Sequence, residues 1–136
     1  MDYEETFNMS FWRALGTEVQ GISFAETAYQ HFLTYPEVEE EFRGRDPEKP
    51  KEMLRISITL ASSYYFTGSP DHLLRRFAEM HSQRDLDIKP HLYDYWLESV
   101  LVGVRAHDPE CNDEVLEAWS HVLQPAIEFM RDHYEK

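Results

Sequence analysis

Seven histidines, at positions 31, 72, 81, 91, 107, 121 and 133, are the side chains best suited to bind a metal or move a proton near neutral pH. His81 stands apart from the other six. It follows Phe77 by four residues and Leu74 by seven, so the three share one apolar helical face. A histidine on such a face must satisfy its ring nitrogens or bear a desolvation cost. One reading is a core residue bonded to a backbone carbonyl, which periodicity alone favours. The other is an axial ligand to a haem iron. Other chemistries lack their residues. The chain has no HExxH or CxxC, and no ExxH pair repeated on two helices. It has no GxSxG, Walker loop or GxGxxG either.

The elements that must position His81 read as helices separated by prolines and short polar runs. Phe7, Phe11, Leu15 and Val19 recur at spacing four and predict a first helix with one inward stripe, interrupted at Gly21. Phe24, Ala28 and Phe32, with Leu33, predict a second helix ending before Pro36, which opens a short turn closing at Phe42. FRGRDPEKPKEM reads as a loop, with Pro50 suited to the first turn of the next helix. Met53, Leu54, Ile58, Ala61 and Tyr65 carry that helix to a stop at Thr67-Gly68, and Asp71 begins the next. Leu73, Leu74, Phe77, Met80 and His81 share one side of it. Tyr93 to Val104 trace a long helix ended by Asp108-Pro109, and Val115 to Met130 trace the last. The result is an all-α chain, too irregular in helix length for a simple four-helix bundle.

Composition sets the bounds. With 136 residues and 42% hydrophobic content the chain suffices for a single domain over 1–136 with a real core. A formal charge of −13 makes duplex nucleic acid and anionic membrane surfaces poor partners. Cys111 is the lone cysteine, so no intrachain disulfide forms. The acidic start MDYEETFNMS lacks the pattern of a signal peptide, and no apolar run nears the ~20 residues of a membrane helix. A cytoplasmic location is expected.

Three segments, in order, resemble bacterial single-domain haemoglobins, globins related to the haem domain of flavohaemoglobins. They are AYQHFLTYPEVEEEF, RRFAEMHSQRDLDIKPHLYDYWLESVL and EVLEAWSHVLQPAIEFM, which together run through most of the chain. The resemblance implies a globin fold of six to eight helices around a haem pocket, with haem b as cofactor and His81 as the proximal iron ligand. It places Phe77, Ile88, Tyr93 and Trp96 on the proximal side, with Arg84 or Lys89 pairing a propionate. Phe42 would wedge against the porphyrin, and Leu54 or Met53, with Ile58, would form an apolar distal wall. Tyr29 would be the distal tyrosine. Alignment on Pro36 puts Ala28 there, whereas keeping Phe32-Leu33 in step selects Tyr29.

This chain departs from the family's pattern twice. The position often held by a distal glutamine falls on Lys49 or Pro50, and Lys49 or Lys51 offers an internal sixth ligand or gate. Tyr134 stands where flavohaemoglobin domains carry a glutamate bracing the proximal histidine. The function implied is reversible binding of dioxygen, carbon monoxide or nitric oxide, or nitric oxide dioxygenation with a separate reductase. The rival is a globin-like sensor or interaction module, with or without haem. A peroxidase reading lacks a distal acid–base group. Oligomeric state is left open.

Overall fold

Residues 2–135 are described by the computed structural model, and among them lie seven helices and no strand. Their starts follow from capping chemistry. Asp2 accepts the Glu5 N–H at the head of α1 (Tyr3–Gly16), and Ser23 accepts the Glu26 N–H at the head of α2 (Phe24–Phe32). Pro36 opens α3 (Pro36–Phe42), where its missing N–H costs nothing. α4 (Glu48–Thr67) takes Pro50 in its first turn and stops at Gly68, whose φ of +72° directs its N–H back to the Tyr64 carbonyl at 2.8 Å. Asp71 caps α5 (His72–His81), and Asn112 caps α7 (Asp113–His133). α6 (Leu92–His107) lies between them in the chain and ends at Asp108.

Two sequence expectations shift. α1 ends at Gly16, so Val19 leaves the inward stripe and is exposed; it pairs with Ile22 across a tight turn. Gln20 and Gly21 form that turn at φ of +54° and +78°, the left-handed pair a two-residue hairpin requires. Leu73 faces solvent, whereas Leu74 and Ala78 carry the inner face of α5.

The core is apolar and continuous. α2 crosses α6, while α1 and α4 both pack on α7. Trp119 is fully buried, with Phe7 set edge-on at 4.7 Å between ring centroids and Phe24 at 5.9 Å. Polar groups within this core are linked. The Trp119 indole N–H donates to Ser10 Oγ at 2.8 Å, and Ser10 donates to buried Asp108 at 2.6 Å. Arg13 Nε reaches the same carboxylate at 2.7 Å. His107 is also buried: Nδ1 donates to the Thr17 carbonyl at 2.8 Å, leaving Nε2 to accept from Thr27 at 2.6 Å. α4 and α5 touch little, and the space between them is where the site lies.

Candidate functional site

A cavity of about 670 Å³ opens between α4 and α5, within the ~300–1,000 Å³ range of sites that enclose small organic ligands. α2 contributes Ala28 and Tyr29, α3 contributes Phe42, and α4 lines one side from Lys49 to Ala61. Phe77 and His81 on α5 line the other side, and the connection after it adds Leu86 and Ile88. α6 supplies Tyr93 and Trp96, and α7 supplies Ile127 and Met130. Among the described residues no group of three His, Cys, Asp or Glu side chains could hold a bare metal ion.

The wall is largely apolar, and among its polar atoms His81 Nε2 and the hydroxyls of Tyr29 and Tyr93 have no partner. His81 Nδ1 lies 2.6 Å from the Phe77 carbonyl, which can only accept, so Nδ1 carries the proton. Nε2 is then the lone-pair nitrogen, and no described residue bonds it. Burial pulls the His81 pKa below its ordinary 6.5, against the opposing pull of the Phe77 carbonyl and Asp85, so the ring is neutral at pH 7. The hydroxyls of Tyr29 and Tyr93 likewise make no hydrogen bond among the described residues. Burial raises both pKa values, most strongly for Tyr93, so each keeps its proton; Lys51 opposes the rise slightly at Tyr29. No sealed side-chain polar atom among the described residues lacks a partner. The three unpaired atoms therefore border open space, and all three residues line this cavity.

Aromatic rings hold these groups in place. Phe77 and Tyr93 each stand edge-on to the His81 ring at 6.4 Å between centroids. Phe42 meets Tyr29 edge-on at 5.9 Å, and the Arg45 guanidinium lies 5.8 Å from the Phe42 centroid.

No family model matches the chain, and no curated protein does. One solved structure does: a Pseudomonas aeruginosa protein described as structurally highly homologous to a human haemoglobin. It shares 31% identity over 99% of this chain and 100% of that one, with a TM-score of 0.89. The chain belongs to the globins.

A globin fold implies a haem, and the residues of this globin fit one. A flat apolar macrocycle needs a slot between two helical walls, a free imidazole nitrogen on one side, and a cation near its carboxylates. The slot between α4 and α5, His81 Nε2 and Arg45 meet those three needs.

Of the residues expected at the pocket, Tyr29, Phe42, Lys49, Met53, Leu54, Phe77, His81, Ile88, Tyr93 and Trp96 all line the cavity. Two do not. Ile58 is wholly buried in the core and is not on the cavity wall, which Ser57 beside it does reach. The helix turns about 100° per residue, so an apolar residue in the same stripe can face the core instead. Arg84 is exposed and off the wall, in the connection that follows α5.

Lys89 also falls away from the cavity: its ammonium is held by Asp87 at 2.9 Å and the Tyr134 hydroxyl at 3.1 Å. Lys51 pairs with Glu48 at 2.9 Å and does not line the cavity, whereas Lys49 and Pro50 both do. Ala28 and Tyr29 both face the cavity, and only Tyr29 carries a donor. Tyr134 bonds Asp87 and Lys89 rather than His81. The two sequence readings of His81 turn out to be compatible, since Nδ1 meets a backbone carbonyl while Nε2 stays free.

Sequence reasoning missed Phe32, Arg45, Ser57, Met80, Leu86, Ile127 and Met130 on the wall. Ile127 and Met130 lie three apart on α7, a spacing that signals a shared face but not which cavity it borders. Arg45 sits in a stretch read only as loop, and nothing in its pattern marks it.

Proposed function

We propose that this globin holds haem b through His81 and binds dioxygen, carbon monoxide or nitric oxide on the Tyr29 side of the cavity. The observation that carries the reading is the free Nε2 of His81, a neutral imidazole nitrogen on the wall of a largely apolar slot. A haem bound there supplies an iron centre with reversible affinity for diatomic gases. The Phe77 carbonyl fixes the tautomer and the ring direction of His81, as outer partners of ligating histidines commonly do. Phe77, Ile88 and Trp96 keep water from that side. Tyr29, protonated and unpaired, offers a hydroxyl donor to a polar ligand. Arg45 stands in for Arg84 as the cation near the macrocycle's carboxylates. A separate reductase would extend the same site to nitric oxide dioxygenation. The single cysteine suits the reducing cytoplasm.

The test is the absorption spectrum of haem-reconstituted protein, oxidised, reduced and with carbon monoxide, for wild type and His81→Ala. Wild type should give a Soret band that moves with carbon monoxide, and His81→Ala should lose or alter it. A wild-type protein with no such band would return the chain to a haem-free sensor or interaction module.

A further inference from the structure

α1 and α4 both pack on α7, yet they touch each other little. They meet at one end, where Phe7 stands edge-on to Phe66 at 6.2 Å between centroids, and a groove opens between them. Phe11, Trp12 and Gly16 line it from α1, and Glu52, Arg55 and Ile56 from α4. Trp12 is 80% exposed, with Ile56 at 38% and Met9, one turn before Trp12, at 55%. Contiguous apolar surface of this kind marks a contact site, and aromatic and Met side chains concentrate where protein surfaces meet.

Gly16 is a second mark. It sits in the last turn of α1, four residues after Trp12 and on the same side. Its φ is not positive, and a Cβ there would meet nothing within 4 Å. Neither the backbone nor the chain's own packing calls for glycine, a poor helix residue. Helical side chains lean towards the N-terminus, so the indole stands over the preceding turn and leaves a hollow at Gly16.

Charge selects the occupant. The chain carries −13 overall, but the groove holds one acid and one base three residues apart on α4. Glu52 and Arg55 are both exposed, and neither forms an ion pair among the described residues. A basic partner would be drawn to the acidic remainder of the surface, and an acidic one repelled by it. A second copy fits this balanced patch, because a two-fold axis sets Glu52 of each protomer against Arg55 of the other.

We infer that this groove is a two-fold contact between copies of the chain, with the Trp12 indole of each seated in the hollow at Gly16 of the other and Glu52 and Arg55 paired across the axis. The contact does not depend on haem, since none of these residues lines the cavity.

Sedimentation velocity over a concentration series, on haem-free and reconstituted protein, reads it. Wild type should pass from monomer to dimer, and in the haem-free protein Trp12 emission should move to the blue as its ring leaves water. Trp12→Ala should weaken the dimer at least about thirtyfold, the scale of a truncated anchor tryptophan. Gly16→Leu should weaken it comparably while the monomer's melting temperature holds or rises, because the new side chain fills only the partner's space. Glu52→Arg and Arg55→Glu should each weaken it about tenfold alone. Their equimolar mixture should restore pairing, since each variant then meets its opposite charges. Wild type still monomeric at ~1 mM would overturn the inference and leave the groove to another protein. A dimer that Trp12→Ala and Gly16→Leu leave intact would overturn it too, by placing the contact on another face. A mixture no tighter than its parts would overturn the two-fold pairing.

Discussion

Burial keeps His81 and Tyr29 on the cavity wall uncharged, and that state decides what each can do. Burial lowers the basicity of His81 and raises the pKa of Tyr29, so one presents a lone pair and the other a proton. Tyr29→Phe should therefore raise the dioxygen off-rate roughly tenfold, the worth of one ~1–1.5 kcal/mol hydrogen bond. Flash photolysis reads it directly, and an unchanged rate would remove Tyr29 from the ligand's contacts. Asp108 shows the opposite outcome. Burial pushes its carboxyl up, but the bonds from Arg13, Ser10 and the Glu110 N–H prevail and hold it below the ordinary 3.8. A carboxylate held low contributes stability that is complete above its unfolded pKa and is lost as pH falls through its folded value. Thermal melts of wild type should accordingly drop on acidification from about pH 4 downwards. Asp108→Asn should be less stable at pH 7 and lose less on the same descent; parallel curves would show that Asp108 is not the titrating group.

At the scale of elements, the crossing of α2 over α6 sets the back of the site, since Tyr29 and Trp96 reach the cavity from those two helices. The crossing is close because Gly103 has no side chain: a Cβ there would lie 2.8 Å from Phe24 Cε2 and 3.0 Å from Cδ2. Phe24 is buried and cannot swing clear. Gly103→Ala would gain about 1 kcal/mol of helix propensity but incur ~1–3 kcal/mol of overpacking. The urea midpoint should fall with the slope unchanged, and a raised midpoint would mean that α2 shifts freely. The second element pair, α4 and α5, behaves differently. The two touch little, so a ligand between them would replace contacts that the chain itself does not make.

Across the whole molecule, this division predicts a rigid frame of α1, α2, α4, α6 and α7 beside a cavity whose α5 wall gains most from occupancy. Saturating haem at a thousandfold above its Kd would stabilise the fold by about 4 kcal/mol. The measurement is a melting curve of the haem-free and reconstituted protein, together with tryptophan fluorescence. Trp96 lines the cavity, Trp119 lies at 0% exposure in the core and Trp12 is 80% exposed, so haem uptake should quench the Trp96 emission most strongly. A Trp96→Phe variant tests that directly. A melting curve that haem leaves unmoved would mean that the cavity does not take it up.

How much of this was legible beforehand depends on the range of the physics involved. Helix positions follow from local chemistry: the caps at Ser23, Asp71 and Asn112, the stop at Gly68 and the apolar spacing before His81 act within a turn or two of chain. The order of three segments marked a globin, and His81 stood out because only it shares an apolar helical face with Leu74 and Phe77. Long-range contacts decided the rest. Ile58 and Ser57 are neighbours on one helix, and only the packing of α4 on α7 turned the first to the core and the second to the cavity. Arg45 replaced Arg84 at the cavity because a loop's path in space, not its composition, brings a cation to the wall. Asp108 reads as an ordinary helix-end residue and Tyr134 as the replacement of a family glutamate, yet their partners at Ser10, Arg13, Asp87 and Lys89 lie far away in sequence. Sequence determined the helices, the family and the histidine, because those are written in short-range pattern. Which faces meet around the cavity is settled only when distant segments pack, since burial and hydrogen-bond satisfaction are properties of the assembled fold.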